Sequence, residues 1–221
     1  MKTIVAYLKR NPSAGLLFVQ LLGLVLYPLM DASPRGRVAF GVFGLLVLAL
    51  ALRVVRRSPW LTWLGILLAA PVVALSAVML VSPNPTLFVV AAGFEAAFYF
   101  YATGSLIAYT LHDWVATADE YFAAGATFTL LAWGFAYLFV VCQAIVPGSF
   151  IGPGDEAVRT WTELLYLSIA VLSSVGLSDI LPATPMARAL VMLESIAGIM
   201  FIALVVSRLI SLNVQAQRSK H

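Results

Sequence analysis

Six apolar runs separated by short polar or proline-bearing breaks set the pattern of this chain. They cover residues 14–30, 38–55, 60–81, 87–111, 121–146 and 185–212. Crossing the hydrocarbon core of a bilayer takes a helix of about 17 residues or more, and every run reaches that length. The breaks carry strong turn chemistry: Ser33-Pro34-Arg35-Gly36, Arg56-Arg57-Ser58-Pro59, Ser82-Pro83-Asn84-Pro85 and Gly152-Pro153-Gly154. Pro71 falls inside the third run and is expected to kink it, which neighbouring helices accommodate by re-satisfying the freed carbonyl. Thr117-Ala118-Asp119-Glu120 is a capping-box pattern that starts the fifth helix. The polar stretch 112–120 before it reads as a linker, with Trp114 as an interfacial anchor.

Composition narrows the class. Of 221 residues, 62% are hydrophobic and 10% charged, with mean hydropathy +0.99, which marks an all-α, multi-pass membrane protein. The formal charge of +3 belongs to membrane edges and calls for no nucleic acid. With the N-terminus inside, Lys2, Lys9, Arg10, Arg53, Arg56, Arg57, Arg208, Arg218 and Lys220 are cytoplasmic. Arg35, Arg37, Arg159 and Arg188 are then outside, an asymmetry that places both termini in the cytoplasm. The single Cys142 lies in an apolar run and reads as packing. No His/Cys cluster has metal-ligand spacing, no glycine-rich phosphate loop or hydrolase elbow is present, and nothing points to an enzyme or a cofactor.

The chemistry concentrates in residues 161–212, which read W-T-E-L-L-Y-L-S-I-A-V-L-S-S-V-G-L-S-D-I-L-P-A-T-P and then an apolar run. A short amphipathic helix, a Ser-Ser-Val-Gly turn, an aspartate, a proline and a long helix follow one another. This order resembles the pore module of the tetrameric potassium-channel superfamily. The family's T-V-G-Y-G-D filter falls on Ser174, Val175, Gly176, Leu177, Ser178 and Asp179. Arg188 and Gly198 stand where the family often carries a basic residue and a hinge glycine. Leu177 replaces the usual aromatic and Ser178 the second glycine, departures that bear on ion identity more than on fold.

The resemblance implies six transmembrane helices, with a re-entrant pore helix and filter loop between the fifth and sixth. Residues 1–111 would form a four-helix peripheral domain, 112–120 a linker and 121–221 the pore domain. Backbone carbonyls of Ser174, Val175, Gly176 and Leu177 would replace the hydration shell of permeant potassium, which takes four chains because one loop supplies a quarter of each ring. The pore helix is expected to start near Asp155-Glu156 and to stop at Ser173, with Glu163 in a structural hydrogen bond. Tyr166 and Leu167 occupy the filter-support positions; Tyr166 retains a hydroxyl for Asp179, and Leu167 offers Leu177 only apolar packing. Ser178 stands where the family places glycine in a left-handed backbone region; serine there either accepts the strain or relaxes by turning the adjacent peptide, so Ser178→Gly is expected to improve exclusion of sodium. Thr184-Pro185 caps the inner helix, and Gly198 is a hinge or a packing residue. Glu95 and Glu194 are intramembrane carboxylates, candidates for gating or a buried pair, with Glu95 expected neutral or tyrosine-bonded.

The fourth run contains no Arg or Lys. Voltage sensing requires repeated cations, since each charge moved through 100 mV contributes about 2.3 kcal/mol. The nine residues after Leu212 are too few for a cytosolic ligand-binding module. The leading reading is therefore a homotetrameric potassium channel without intrinsic voltage sensing, in contact with membrane lipids and open to a regulatory partner. Its compactness resembles short bacterial members, which points to a prokaryotic plasma membrane. Two alternatives stand beside it: a weakly selective monovalent cation channel, and a non-conducting scaffold or regulatory subunit with a degenerate pore.

Overall fold

The computed structural model describes residues 11–31, 34–56, 62–82, 84–112, 118–154 and 156–218. Helices dominate: α1 (Pro12–Asp31), α2 (Pro34–Val55), α3 (Thr62–Val81), α4 (Pro85–His112), α5 (Ala118–Ile145), α6 (Trp161–Leu172) and α7 (Pro185–Arg218). Two short strands, β1 (Phe150–Ile151) and β2 (Leu181–Pro182), flank α6. The Thr117 cap, the Trp114 anchor, Asp155, Pro83 and the basic residues Lys2, Lys9, Arg10, Arg57 and Lys220 lie outside the described residues.

Proline punctuates this fold. It opens α1, α2, α4 and α7, where its missing N–H is no loss and its fixed φ suits the first turn. The preceding residue supplies the cap where the hydrogen bonds are seen. Asn84 Oδ1 accepts from the Thr86 N–H at 2.8 Å, and Thr184 Oγ1 from the Ala187 N–H at 3.3 Å. Pro71 stays within α3, which remains continuous.

Among the described residues, four segments are long and apolar enough to cross a membrane: Thr62–Val81, Pro85–Thr110, Asp119–Ile145 and Pro185–Val205. Shorter apolar helical segments cover Pro12–Leu26, Gly41–Val55 and Trp161–Leu172. The chain is thus a multi-pass membrane protein.

α5 is the hub, packed on α1, α4, α6 and α7. Small residues let its neighbours approach: Gly125 faces Leu17 and Gly134 faces Phe100. Buried aromatics then join three helices. Tyr99 of α4 stacks on Tyr137 of α5 at 5.8 Å, and Trp133 of α5 meets Trp161 of α6 edge-on at 5.3 Å.

Polar contacts fix helix direction. Ser13 pairs with Asp119, and Gln20 with Ala126, so α1 and α5 run parallel in constant register. Asp119 caps α1 from another helix: its Oδ1 accepts from the Ser13 N–H at 3.0 Å and its Oδ2 from Ser13 Oγ at 3.1 Å. Farther along, Thr129 Oγ1 donates to Gln20 Oε1 at 2.8 Å.

Candidate functional site

The site begins where α5 ends. Gln143, in the last turn of α5, grips the backbone of Arg159 from both sides: its Nε2 donates to Arg159 O at 2.8 Å, and its Oε1 accepts from the Arg159 N–H at 3.0 Å. The Arg159 side chain is 3% exposed and reaches back to the preceding loop. Its Nη1 donates to Pro153 O at 2.9 Å and lies 3.5 Å from Glu163 Oε1, while Nη2 donates to Glu156 O. One guanidinium thus ties the Pro153 and Glu156 carbonyls to the start of α6. Sequence reading counted Arg159 only as an outer charge; the Arg159/Glu163 spacing of four was the available signal.

α6 starts later than the sequence suggested. The Glu156 carbonyl is held by Arg159 instead, and the helix opens at Trp161 behind an N-cap, Thr160. Thr160 and Glu163 form a reciprocal capping box, with the Thr160 N–H donating to Glu163 Oε2 at 2.6 Å and the Glu163 N–H to Thr160 Oγ1 at 3.3 Å. Glu163 therefore has the structural hydrogen bond expected of it.

The far end of α6 stops at Ser173 as expected, and it does so with a left-handed residue that is not glycine. Ser174 has φ 60°, its N–H donates to Val171 O at 2.9 Å, and the Val175 N–H donates to Ala170 O at 3.1 Å. These are the two bonds of a Schellman motif with Ser174 in the position usually held by glycine. The Gly176 N–H adds a third bond, to Ala170 O at 2.9 Å, and Gly176 itself has φ 70°. Residues 174–177 are exposed on the surface of the single chain.

Ser178 departs from expectation. Among the described residues Ser174 alone combines a side chain with positive φ, so Ser178 carries no left-handed strain. Its hydroxyl is held by its neighbours, accepting from the Ile180 N–H at 3.1 Å and lying 3.2 Å from Ile180 O. The Ser178 N–H donates to Gly176 O at 3.0 Å, so one of the four carbonyls proposed for ions already accepts a bond.

The chain returns through β2, which pairs antiparallel with β1: Phe150 opposite Pro182, Ile151 opposite Leu181. The Ala183 N–H donates to Ser149 O at 2.8 Å, and Ser149 Oγ lies 3.1 Å from Thr184 Oγ1. Arg188 Nε donates to Pro182 O at 3.3 Å. Cys142 is buried beneath this clasp, 3.6 Å from Ser149 Oγ.

Behind the loop, α7 lies against α6. Glu194 and Ser168 are both fully buried, and Ser168 Oγ donates to Glu194 Oε1 while also lying 2.9 Å from Ala132 O of α5. A Cβ on Gly198 would collide with the carbonyl oxygen of Leu172, so this glycine marks a close approach of two backbones. Ser168 with Glu194 and Leu172 with Gly198 share one offset in sequence, so α6 and α7 run in the same direction.

The remaining expected residues fall elsewhere. Leu167 is buried, whereas Leu177 is exposed. Tyr166 turns outward, lining an open recess with Trp161, Leu165 and Trp133. Among the described residues its hydroxyl makes no hydrogen bond, nor does the Asp179 carboxylate, so the Tyr166–Asp179 bond is not formed within one chain. Glu95 sits on α4 and is hydrogen-bonded by Tyr137, within the aromatic cluster rather than at the loop.

Residues 120–215 match a family model described as ion channel. No curated protein and no solved structure matches the chain.

Proposed function

From the match of residues 120–215 to the ion-channel family model, we propose that the chain is a pore-loop channel that conducts potassium passively as a homotetramer in a prokaryotic plasma membrane. In this reading α1–α5 and α7 are six crossings with both termini cytoplasmic, and α6 with residues 173–184 is the re-entrant unit. The observation that carries the reading is the shared direction of α6 and α7. Two successive helices can both descend from one face only if the chain between them climbs back, and the climbing segment is the one with the filter-like residues. Its exposure in a single chain fits a surface that sister chains and ions complete.

The mechanism follows from the backbone. Potassium sheds water only where oxygens replace it, and rings of carbonyls from Ser174, Val175, Gly176 and Leu177 of four chains supply them. The C-terminal end of α6 carries partial negative charge and favours a cation at the inner end of the loop. Ser174 Oγ adds a hydroxyl there. A second reading, weaker discrimination between potassium and sodium, is favoured by one contact: the Gly176 carbonyl is shared with the Ser178 N–H.

Single-channel recording of the purified protein in planar bilayers decides between them. Potassium currents that reverse near the potassium equilibrium potential are expected. Reversal midway between the potassium and sodium potentials selects the second reading, and a silent membrane with intact tetramers ends both.

A further inference from the structure

The buried contact between Glu194, Ser168 and Ala132 has no place in ion coordination, yet it joins three helices at one point. Glu194 of α7 and Ser168 of α6 are both 0% exposed. Ser168 Oγ reaches Glu194 Oε1 and, at 2.9 Å, Ala132 O of α5. Glu194 Oε2 has no hydrogen-bond partner among the described residues, and no Lys, Arg or His there pairs with this carboxyl. A carboxyl buried among apolar helices is costly unless its hydrogen bonds are made, so Ser168 is the contact that makes this position tolerable.

One helical turn farther along both helices, Gly198 meets the backbone of Leu172. That second contact lies directly before Ser173 and Ser174, where the Schellman motif sets the direction in which the loop leaves α6. The two contacts are spaced four residues apart on each helix, so they form two rungs of one ladder. A helix held at two rungs is fixed in both height and rotation; held at one, it pivots.

We propose that Glu194 is a positioning residue for the filter: through Ser168 it fixes the rotation of α6, and with it the aim of the Ser174–Leu177 carbonyls. This rests on the channel reading above. The hydrogen bond, not a charge, does the positioning, so glutamine substitutes for glutamate and leucine does not.

The test uses the full chain in four forms, unmodified, Glu194→Gln, Glu194→Leu and Ser168→Ala, each checked for the same assembly size. Hydrogen exchange is read at the Ser174, Val175 and Gly176 amides, with amides of α5 as the internal control. Exchange at the three loop amides should rise about tenfold in Glu194→Leu and Ser168→Ala, the size expected when one buried hydrogen bond is lost. It should stay within twofold of the unmodified protein in Glu194→Gln. In recordings, the potassium-to-sodium permeability ratio should fall in the leucine and alanine variants and persist in the glutamine variant. The double variant Glu194→Leu/Ser168→Ala should be no worse than either single one.

Loop exchange unchanged in both disruptive variants overturns the proposal, as does a glutamine variant as disturbed as the leucine one. A rise shared equally by the α5 amides also overturns it, because the effect is then global. Exchange needs no current, so a silent unmodified protein counts against the channel reading while the ladder is still judged on its amides.

Discussion

Ser174 fills a helix C′ position and Ser178 a filter position where glycine is commonest, and the structure treats the two serines differently. Ser174 takes the left-handed conformation, at a cost of roughly 1–2 kcal/mol relative to glycine, and retains it because two hydrogen bonds to the end of α6 are made in return. Ser178 adopts negative φ and uses its hydroxyl to hold Ile180. Glycine therefore has no left-handed strain to relieve at Ser178. Ser178→Ala should weaken the outer end of the loop by about 1 kcal/mol, the usual net worth of one hydrogen bond. The Ile180 amide, which loses its acceptor, should exchange several-fold faster; an unchanged rate would mean the serine hydroxyl is incidental.

The short helix α6 owes its existence to its ends, because twelve residues form no stable helix alone. Its start is the Thr160/Glu163 capping box, backed by Arg159 across the loop. Thr160→Ala removes the cap and should lower the stability of the protein by about 1 kcal/mol. A lowered midpoint of thermal unfolding in mild detergent checks this, and an unshifted midpoint would show that Arg159 suffices. Its far end depends on Gly198. From propensity alone, Gly198→Ala strengthens α7 by up to ~1 kcal/mol. Contact with the Leu172 backbone opposes this, and forcing extra bulk into a closed contact typically costs about 1–3 kcal/mol. The net effect should be destabilisation together with altered ion selectivity. A stiffer, slower-gating channel with unaltered selectivity would instead favour the hinge reading of Gly198.

Beside these elements α1 and α4 pack directly on α5, while α2 and α3 pack on α1 and α4. α1 lies parallel to α5, capped by Asp119 and tied again at Gln20 and Thr129, while α4 joins α5 and α6 through Tyr99, Tyr137 and Trp161. The one carboxyl within α4, Glu95, is bonded to Tyr137, and α4 bears no Arg or Lys. No charge of the kind that moves with membrane potential is available in that helix. Conductance should accordingly change little with voltage, well below the steepness that several charges per chain would give. A steep conductance–voltage relation in planar bilayers would place a sensor elsewhere in the chain.

The apolar runs and the Ser-Ser-Val-Gly turn were legible in the sequence, because length, periodicity and turn chemistry are local properties, whereas the helix starts at Pro12, Pro34 and Pro85 lie ahead of the runs and were read as breaks or left out. So were the Thr184 cap, the end of α6 at Ser173 and the structural role of Glu163, each decided within a few residues. The start of α6 was misplaced because an arginine side chain, reaching back to Pro153 and Glu156, competes with helix formation there. The conformation of Ser178 and the pairing of Ser168 with Glu194 had no local signal. A backbone angle in a loop is set by what the neighbouring carbonyls bond to. A hydrogen bond between residues on two helices depends on how those helices rotate against each other. Only the packing of α5, α6 and α7 fixes that rotation, and it is there that the apolar runs become a site.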